Sequence, residues 1–253
     1  MGCTIIKTDT KRVKNNLSST DYNFVKEHYY ANQNNLPNRI RDLFEQFLID
    51  SVIQKTTADL KFIKITELNL KSLQVILPHC TKLRKLDLWK SHLGNQGAIT
   101  IFSLFEYFPH LTFLCVADNH IGYEGIKILT GNFHYLQELE NFQLHFNPFT
   151  PESTKLLAKK LKLLVNLKIL YLDECEMGGD SLGKLIIAIS HVKHIERVSM
   201  DYNYIGKTNC DLIVELLYNM KSLKRFSLLN CQINQETIEV LRVKYPGILF
   251  SFI

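Results

Sequence analysis

The residues of this chain that could do chemistry are a glycine run, a pair of histidines and a set of cysteines. Gly178-Gly179-Asp180-Ser181-Leu182-Gly183-Lys184 matches seven positions of the GxxxxGK loop whose backbone cradles phosphates, but Leu185 stands where Ser or Thr would bind magnesium. His92 and His120, the latter close to Asp118, would bring two imidazoles toward one metal without the fixed third ligand that zinc requires. Cys115 is a candidate nucleophile only if a histidine stands beside it to take its proton. His191 and His194 fall in a polar connection and read as solvated.

Whether such groups meet depends on the elements that carry them. The chain has 253 residues, 46% hydrophobic and 22% charged, which is the composition of a globular protein and excludes disordered, collagenous and low-complexity classes. No stretch approaches the ~18 to 20 consecutive apolar residues of a membrane span. The start, Met1 to Lys7, lacks the apolar core of a secretory signal, so an intracellular address is expected. The six cysteines, Cys3, Cys80, Cys115, Cys175, Cys210 and Cys231, contain no CxxC pair and read as free thiols in a reducing compartment. A formal charge of +5 with scattered basic residues does not favour nucleic acid as a partner. Lysine outnumbers arginine 23 to 7 and asparagine is plentiful, a bias of AT-rich genomes such as those of protists.

The organising feature is an internal period. Leu83-x-x-Leu86-x-Leu88-x-x-Ser91-x-Leu93 recurs as Leu111, Leu114, Val116, Asn119, Ile121, and the same frame restarts at Leu139, Leu167, Ile195 and Leu223, each start 28 residues after the last. A degenerate first copy is expected at Leu60, Ile63, Ile65, Leu68, Leu70 and a truncated last one at Tyr245, Ile248, Phe250, Ile253, with spacings shortened to 23 and 22. Within each copy the LxL core is a period-two strand, and Gly94, Gly122, Gly178 and Gly206 mark a turn in one register. Apolar residues at helical spacing follow, such as Ala98, Ile101, Phe105 and Phe108.

This pattern resembles the leucine-rich repeat LxxLxLxxN/CxL, and its period resembles the ribonuclease-inhibitor-like subfamily. The resemblance implies an α/β fold: a right-handed solenoid arc with parallel strands on the concave face and helices on the convex face. It also implies that Asn119, Asn147 and Asn203, or Cys175 and Cys231, turn inward at the ninth position to satisfy backbone groups, as Ser91 would and Leu68 would not. Two regions are expected: residues 1–59, an amino-terminal arm and capping helix, and residues 60–253, the repeats. Pro37 to Ile53, with Ile40, Leu43, Phe44, Phe47 and Leu48 on one face, reads as the lid, and residues 1 to 35 as an arm ordered against it or a partner.

In that frame Gly178 is a turn glycine, and Cys115 lies between Asp87 and Gln143 with no histidine in its row, so neither reads as catalytic. What remains is surface. The seventh-position row is expected to be Thr66, Trp89, Ala117, His145, Asp173, Asp201, Leu229, and the eighth Glu67, Lys90, Asp118, Phe146, Glu174, Tyr202, Asn230. With Tyr171 and Tyr204, the middle of the arc places acids among aromatics, the mixture found at protein-binding hot spots. The expected partner-binding residues are Trp89, Asp118, Phe146, Tyr171, Asp173, Glu174, Asp201 and Tyr202. The strand-entry side reads as basic through Lys85, Arg197, Lys224 and Arg225, and Lys155, Lys159, Lys160 and Lys162 lie on or after one outer helix, so an acidic partner such as a tubulin surface or anionic lipid would meet the outer side. In the last strand Leu249 and Phe252 are expected at an exposed edge.

The function expected is therefore non-catalytic: a protein-binding scaffold or a subunit of a larger assembly, needing no cofactor or metal. Relatives of this repeat type include inhibitors, actin-system regulators, GTPase-activating proteins and axonemal subunits, so a cytoplasmic, cytoskeletal or ciliary role is one expectation. The alternative is a membrane-attached adaptor, because Gly2-Cys3 resembles dual-acylation starts and Lys7, Lys11, Arg12 and Lys14 follow, although Ile6 stands where that motif prefers Ser or Thr.

Overall fold

A computed structural model describes residues 19–51 and 53–252. Two helices open it, α1 (Ser19–Asn32) and α2 (Asn38–Asp50). Strands and helices then alternate: β1 (Thr57–Asp59), α3 (Glu67–Ile76), β2 (Lys85–Asp87), α4 (Gly94–Phe102), β3 (Phe113–Cys115), α5 (Tyr123–Gly131), β4 (Asn141–Gln143), α6 (Pro151–Lys160), β5 (Ile169–Tyr171), α7 (Gly179–Ser190), β6 (Arg197–Ser199), α8 (Gly206–Leu216), β7 (Arg225–Ser227), α9 (Gln235–Lys244) and β8 (Leu249–Ser251). The strands pair in chain order as one parallel sheet. A parallel neighbour can be reached only by a crossover, and each helix supplies it, stacking against the next as α4 does on α5 and α6 on α7.

The core is one continuous column between sheet and helices. Leu86 and Leu88 of the second repeat point into it, opposite Ala98 and Ile101 of α4, while Phe102, Phe105, Phe108, Phe133 and Phe142 fill its width without exposure. Asn119, Asn147 and Asn203 turn inward as expected and stitch adjacent repeats. The Asn119 side-chain oxygen accepts from the Ser91 and Leu93 amides at 3.0 and 3.2 Å, and its nitrogen donates to the Leu88 and Ala117 carbonyls at 2.7 and 2.9 Å. Cys175 and Cys231 donate to carbonyls in the same places, and the Ser91 hydroxyl donates to Leu60 O at 2.8 Å.

Both terminal repeats keep a different frame from the one expected. Ala58 pairs with Leu86, so the first repeat holds the full 28-residue spacing, with Lys55, Ala58, Leu60, Ile63 and Ile65 in the five motif positions. Lys55 and Ala58 replace the leucines that mark the frame elsewhere, which hides it. Ile63, not Leu68, stands at the ninth position; Thr66 caps α3 by accepting from the Asn69 amide, and Glu67 opens that helix, so neither belongs to the strand rows. The sheet accordingly begins at Thr57, ahead of the boundary expected at residue 60. At the other end Phe226 pairs with Phe250, an offset of 24 residues. Phe250 and Phe252 are therefore the LxL pair; Phe252 is buried rather than exposed, Leu249 is 65% exposed, and Ile253 lies outside the described residues.

The lid forms where the apolar spacing places it. Ile40, Leu43, Phe44 and Phe47 of α2 are buried over α3. Helix α1 joins it by a single face: Tyr22 stacks on Phe47, Tyr29 on Phe44, and Val25 between them is 1% exposed. Arg39 reaches from α2 to the carbonyls of Asp59 and Lys61 and the Asp59 carboxylate, closing part of the free edge of β1.

Candidate functional site

A chain that leaves a short strand while its ninth residue is held inward must reverse its twist on either side of that residue. It does so at the eighth position of the first seven repeats: Phe62, Lys90, Asp118, Phe146, Glu174, Tyr202 and Asn230 all have φ between 50° and 62°. His92, His120, Glu176 and Gln232 do the same at the tenth. This left-handed region suits Gly, Asn and Asp; a bulky ring there costs roughly 1 to 2 kcal/mol. The eighth and tenth positions together form a ridge along the strand-exit rim, with side chains directed away from the core.

The ridge is rich in rings. Phe62 and Trp89 meet at 5.0 Å and are 57% and 38% exposed; Phe146 is 44%, Tyr202 56% and Tyr204 60% exposed. Phe62 was missing from the expected rows because of the displaced first frame; counting 28 back from Lys90 recovers it. The Tyr204 ring lies against Gly206, where an added Cβ would stand 3.5 Å from its Cε1.

The expected residues divide into two groups. Trp89, Phe146, Glu174 and Tyr202 are exposed. Asp118, Tyr171, Asp173 and Asp201 are half-buried and partly committed to the fold. Asp118 pairs with Lys90 at 3.6 Å, and Tyr171 packs edge-on against His145 at 6.3 Å. The Asp173 carboxylate accepts from Ser199 Oγ and from the Asp201 amide at 2.8 Å, while Asp201 accepts from the Leu229 amide at 2.8 Å. Burial raises the Asp173 pKa against the opposing effect of those hydrogen bonds. His145, between these groups, has its pKa lowered by burial, and its Nδ1 has no hydrogen-bond partner among the described residues.

The remaining chemistry candidates occupy ordinary structural places. Gly183 and Lys184 lie inside α7 rather than in a loop, with Lys184 paired to Asp180 at 3.0 Å. His92 and His120 stack at 6.3 Å on the ridge, and His191 caps the end of α7. Cys115 is buried between Asp87 and Gln143 as expected, and burial pushes its thiol up to about 12. The strand-entry side is not uniformly basic: Lys168 pairs with Glu140 and Lys224 with Glu196, both at 2.8 Å, and Lys85 with Asp87 at 3.4 Å. Gly2 and Cys3 lie outside the described residues. Among the described residues no helix is long and apolar enough to cross a membrane.

Comparison with known proteins now bears on the repeat. A family model described as Leucine Rich repeat matches residues 79–102 and 109–129. Mouse (Mus musculus) Protein NLRC5 is 27% identical over 170 residues, covering 67% of this chain and 9% of its own length. Pig (Sus scrofa) Ribonuclease inhibitor is 23% identical over 168 residues, covering 66% of this chain and 37% of its own. Residues 79–129 thus carry leucine-rich repeats, and the chain is similar to proteins of the ribonuclease-inhibitor-like type. An internalin from Listeria monocytogenes superposes with a TM-score of 0.51 at 12% identity, covering 90% of this chain and 61% of that one, which shows the solenoid fold alone. The leucine-rich repeat chain spans well under half the length of these two curated relatives. Repeats of this kind typically mediate protein–protein interaction.

Proposed function

We propose that the chain is a non-catalytic binding protein that captures a protein partner on the strand-exit ridge and the adjoining concave face. The observation that supports this most directly is the placement of Phe62, Phe146 and Tyr202: large rings, exposed to solvent, on left-handed backbone that disfavours them. Neither burial nor turn geometry asks for an aromatic residue there, and rings beside charges are the usual anchors of interfaces. Trp89→Ala and Tyr202→Ala should each weaken capture of the native partner from cells at native expression, with the unfolding midpoint unchanged. Undiminished capture by both variants would remove this surface from consideration.

Two finer readings rest on sequence. A place in a ciliary or cytoskeletal assembly follows from the lysine- and asparagine-rich bias by analogy, and localisation of the tagged chain tests it. A lipid-anchored adaptor follows from Gly2-Cys3; acyl mass on the amino-terminal peptide, lost in Gly2→Ala, would select it.

A further inference from the structure

The ridge changes sign along its length. In the first two repeats its eighth and tenth positions and the neighbouring seventh hold Lys61, Lys64 and Lys90 with His92. From the fourth repeat to the sixth they hold Glu174 and Glu176 with Asp173 and Asp201 behind them. Glu174 and Glu176 are exposed, and among the described residues no cation pairs with either. Phe146 stands one repeat before them and Tyr202 and Tyr204 one repeat after, positions fixed by the backbone bonds Phe146 N to Asp173 O and Glu174 N to Asp201 O, at 2.9 and 2.8 Å. Neighbouring strands lie ~4.8 Å apart, so the backbone positions that carry the rings are one repeat from the two glutamates on each side.

Resting on the protein-binding reading above, we infer that Glu174 and Glu176, bracketed by Phe146, Tyr202 and Tyr204, receive an arginine- or lysine-bearing segment of the partner. A cation placed there meets a carboxylate head-on and a ring face at its side, two attractions that a neutral or acidic segment lacks. The lysines of the first two repeats offer no such attraction, Lys61 and Lys90 being paired with Asp59 and Asp118 at 3.5 and 3.6 Å, so the exposed carboxylates of the fifth repeat set where the segment sits along the arc. The half-buried carboxylates of Asp173 and Asp201 lie behind them and cannot reach the ligand freely, because the fold holds one oxygen of each.

The test uses the full chain, immobilised, and a library of random linear peptides. The enriched peptides are expected to carry an excess of Arg or Lys, and their affinity to fall with added salt. Glu174→Gln combined with Glu176→Gln should weaken them by about three- to tenfold, the effect of two exposed charge contacts, with an unchanged unfolding midpoint. Enriched peptides without a basic excess, affinity unmoved by the paired substitution, or no enrichment at all would each overturn the inference. Peptides that lose binding in Tyr202→Ala but not in the glutamine pair would overturn it while leaving the ridge as the protein-binding surface.

Discussion

Replacing Asn147 by alanine removes a side chain that bonds five backbone groups, four of them at 3.2 Å or closer. Its oxygen accepts from the Asn119 and Ile121 amides at 3.2 and 2.9 Å, and its nitrogen donates to the Val116 and Leu144 carbonyls at 3.0 and 2.7 Å. The residue is fully buried, so water cannot replace it. Each orphaned buried donor costs about 1 to 3 kcal/mol, and the carbonyls retain a second lone pair, so the two amides dominate at roughly 2 to 6 kcal/mol. A solenoid is held together by nearest-neighbour interfaces, so damage midway along it should also uncouple the halves. Chemical denaturation should therefore show a lower midpoint and a broadened or split transition. Hydrogen exchange should quicken first at the amides of Asn119 and Ile121. A loss below about 1 kcal/mol with protection intact at those two amides would refute the claim that the ninth-position asparagine ties the third repeat to the fourth.

Phe146→Asn and Tyr202→Asn exchange a partly buried ring for a residue that accepts left-handed backbone, so the two effects oppose each other and stability should change by less than about 1 kcal/mol in urea titration. Phe142→Ala, in the buried core of the same repeat, should cost about 3 to 5 kcal/mol in the same assay. Burial holds the pKa of His28, His79 and His145 below 6.5, so the unfolded chain takes up protons first and stability falls as pH drops below that value; His145→Gln should flatten the slope of the unfolding midpoint against pH. Asp173 acts in the opposite sense: its raised pKa keeps the folded form protonated longer, so stability is lost as pH rises from 3.8 through the raised value, and Asp173→Asn should remove that step. In a Cys3→Ser background the five described cysteines, all buried and with Cys80, Cys115 and Cys175 pushed up to about 12, should react with a thiol reagent only as fast as the chain unfolds.

The interior repeats were legible in sequence because each motif position has a single physical job, and the job restricts the residue: Leu86 and Leu88 must be apolar, and Asn119 must both donate and accept. The ends were not, because a terminal repeat has one neighbour instead of two and the restriction lapses. Lys55 and Ala58 stand where leucines stand elsewhere, since the lid rather than a preceding repeat closes that end. The last repeat drops four residues, and only the pairing of Phe226 with Phe250 reveals the frame. The acids of the concave row misled for a related reason. Asp173 and Asp201 look free in a sequence but accept amide hydrogens from the next repeat, a use that depends on register and not on spacing within one copy.

This restriction also says where function can be written on such a chain. The first, fourth, sixth, ninth and eleventh positions are committed to the core and the asparagine ladder. The second is spent at Glu140, Lys168, Glu196 and Lys224 on ion pairs between repeats, and the seventh partly on amides. Only the eighth and tenth point outward from a turn that any residue can make at a modest cost, and there the residue type changes freely from lysine to phenylalanine to glutamate. A scaffold of this kind can therefore vary its partner without touching its fold. The converse bears on the proposal above: where those positions carry rings despite the left-handed backbone, the turn itself gives no reason for them.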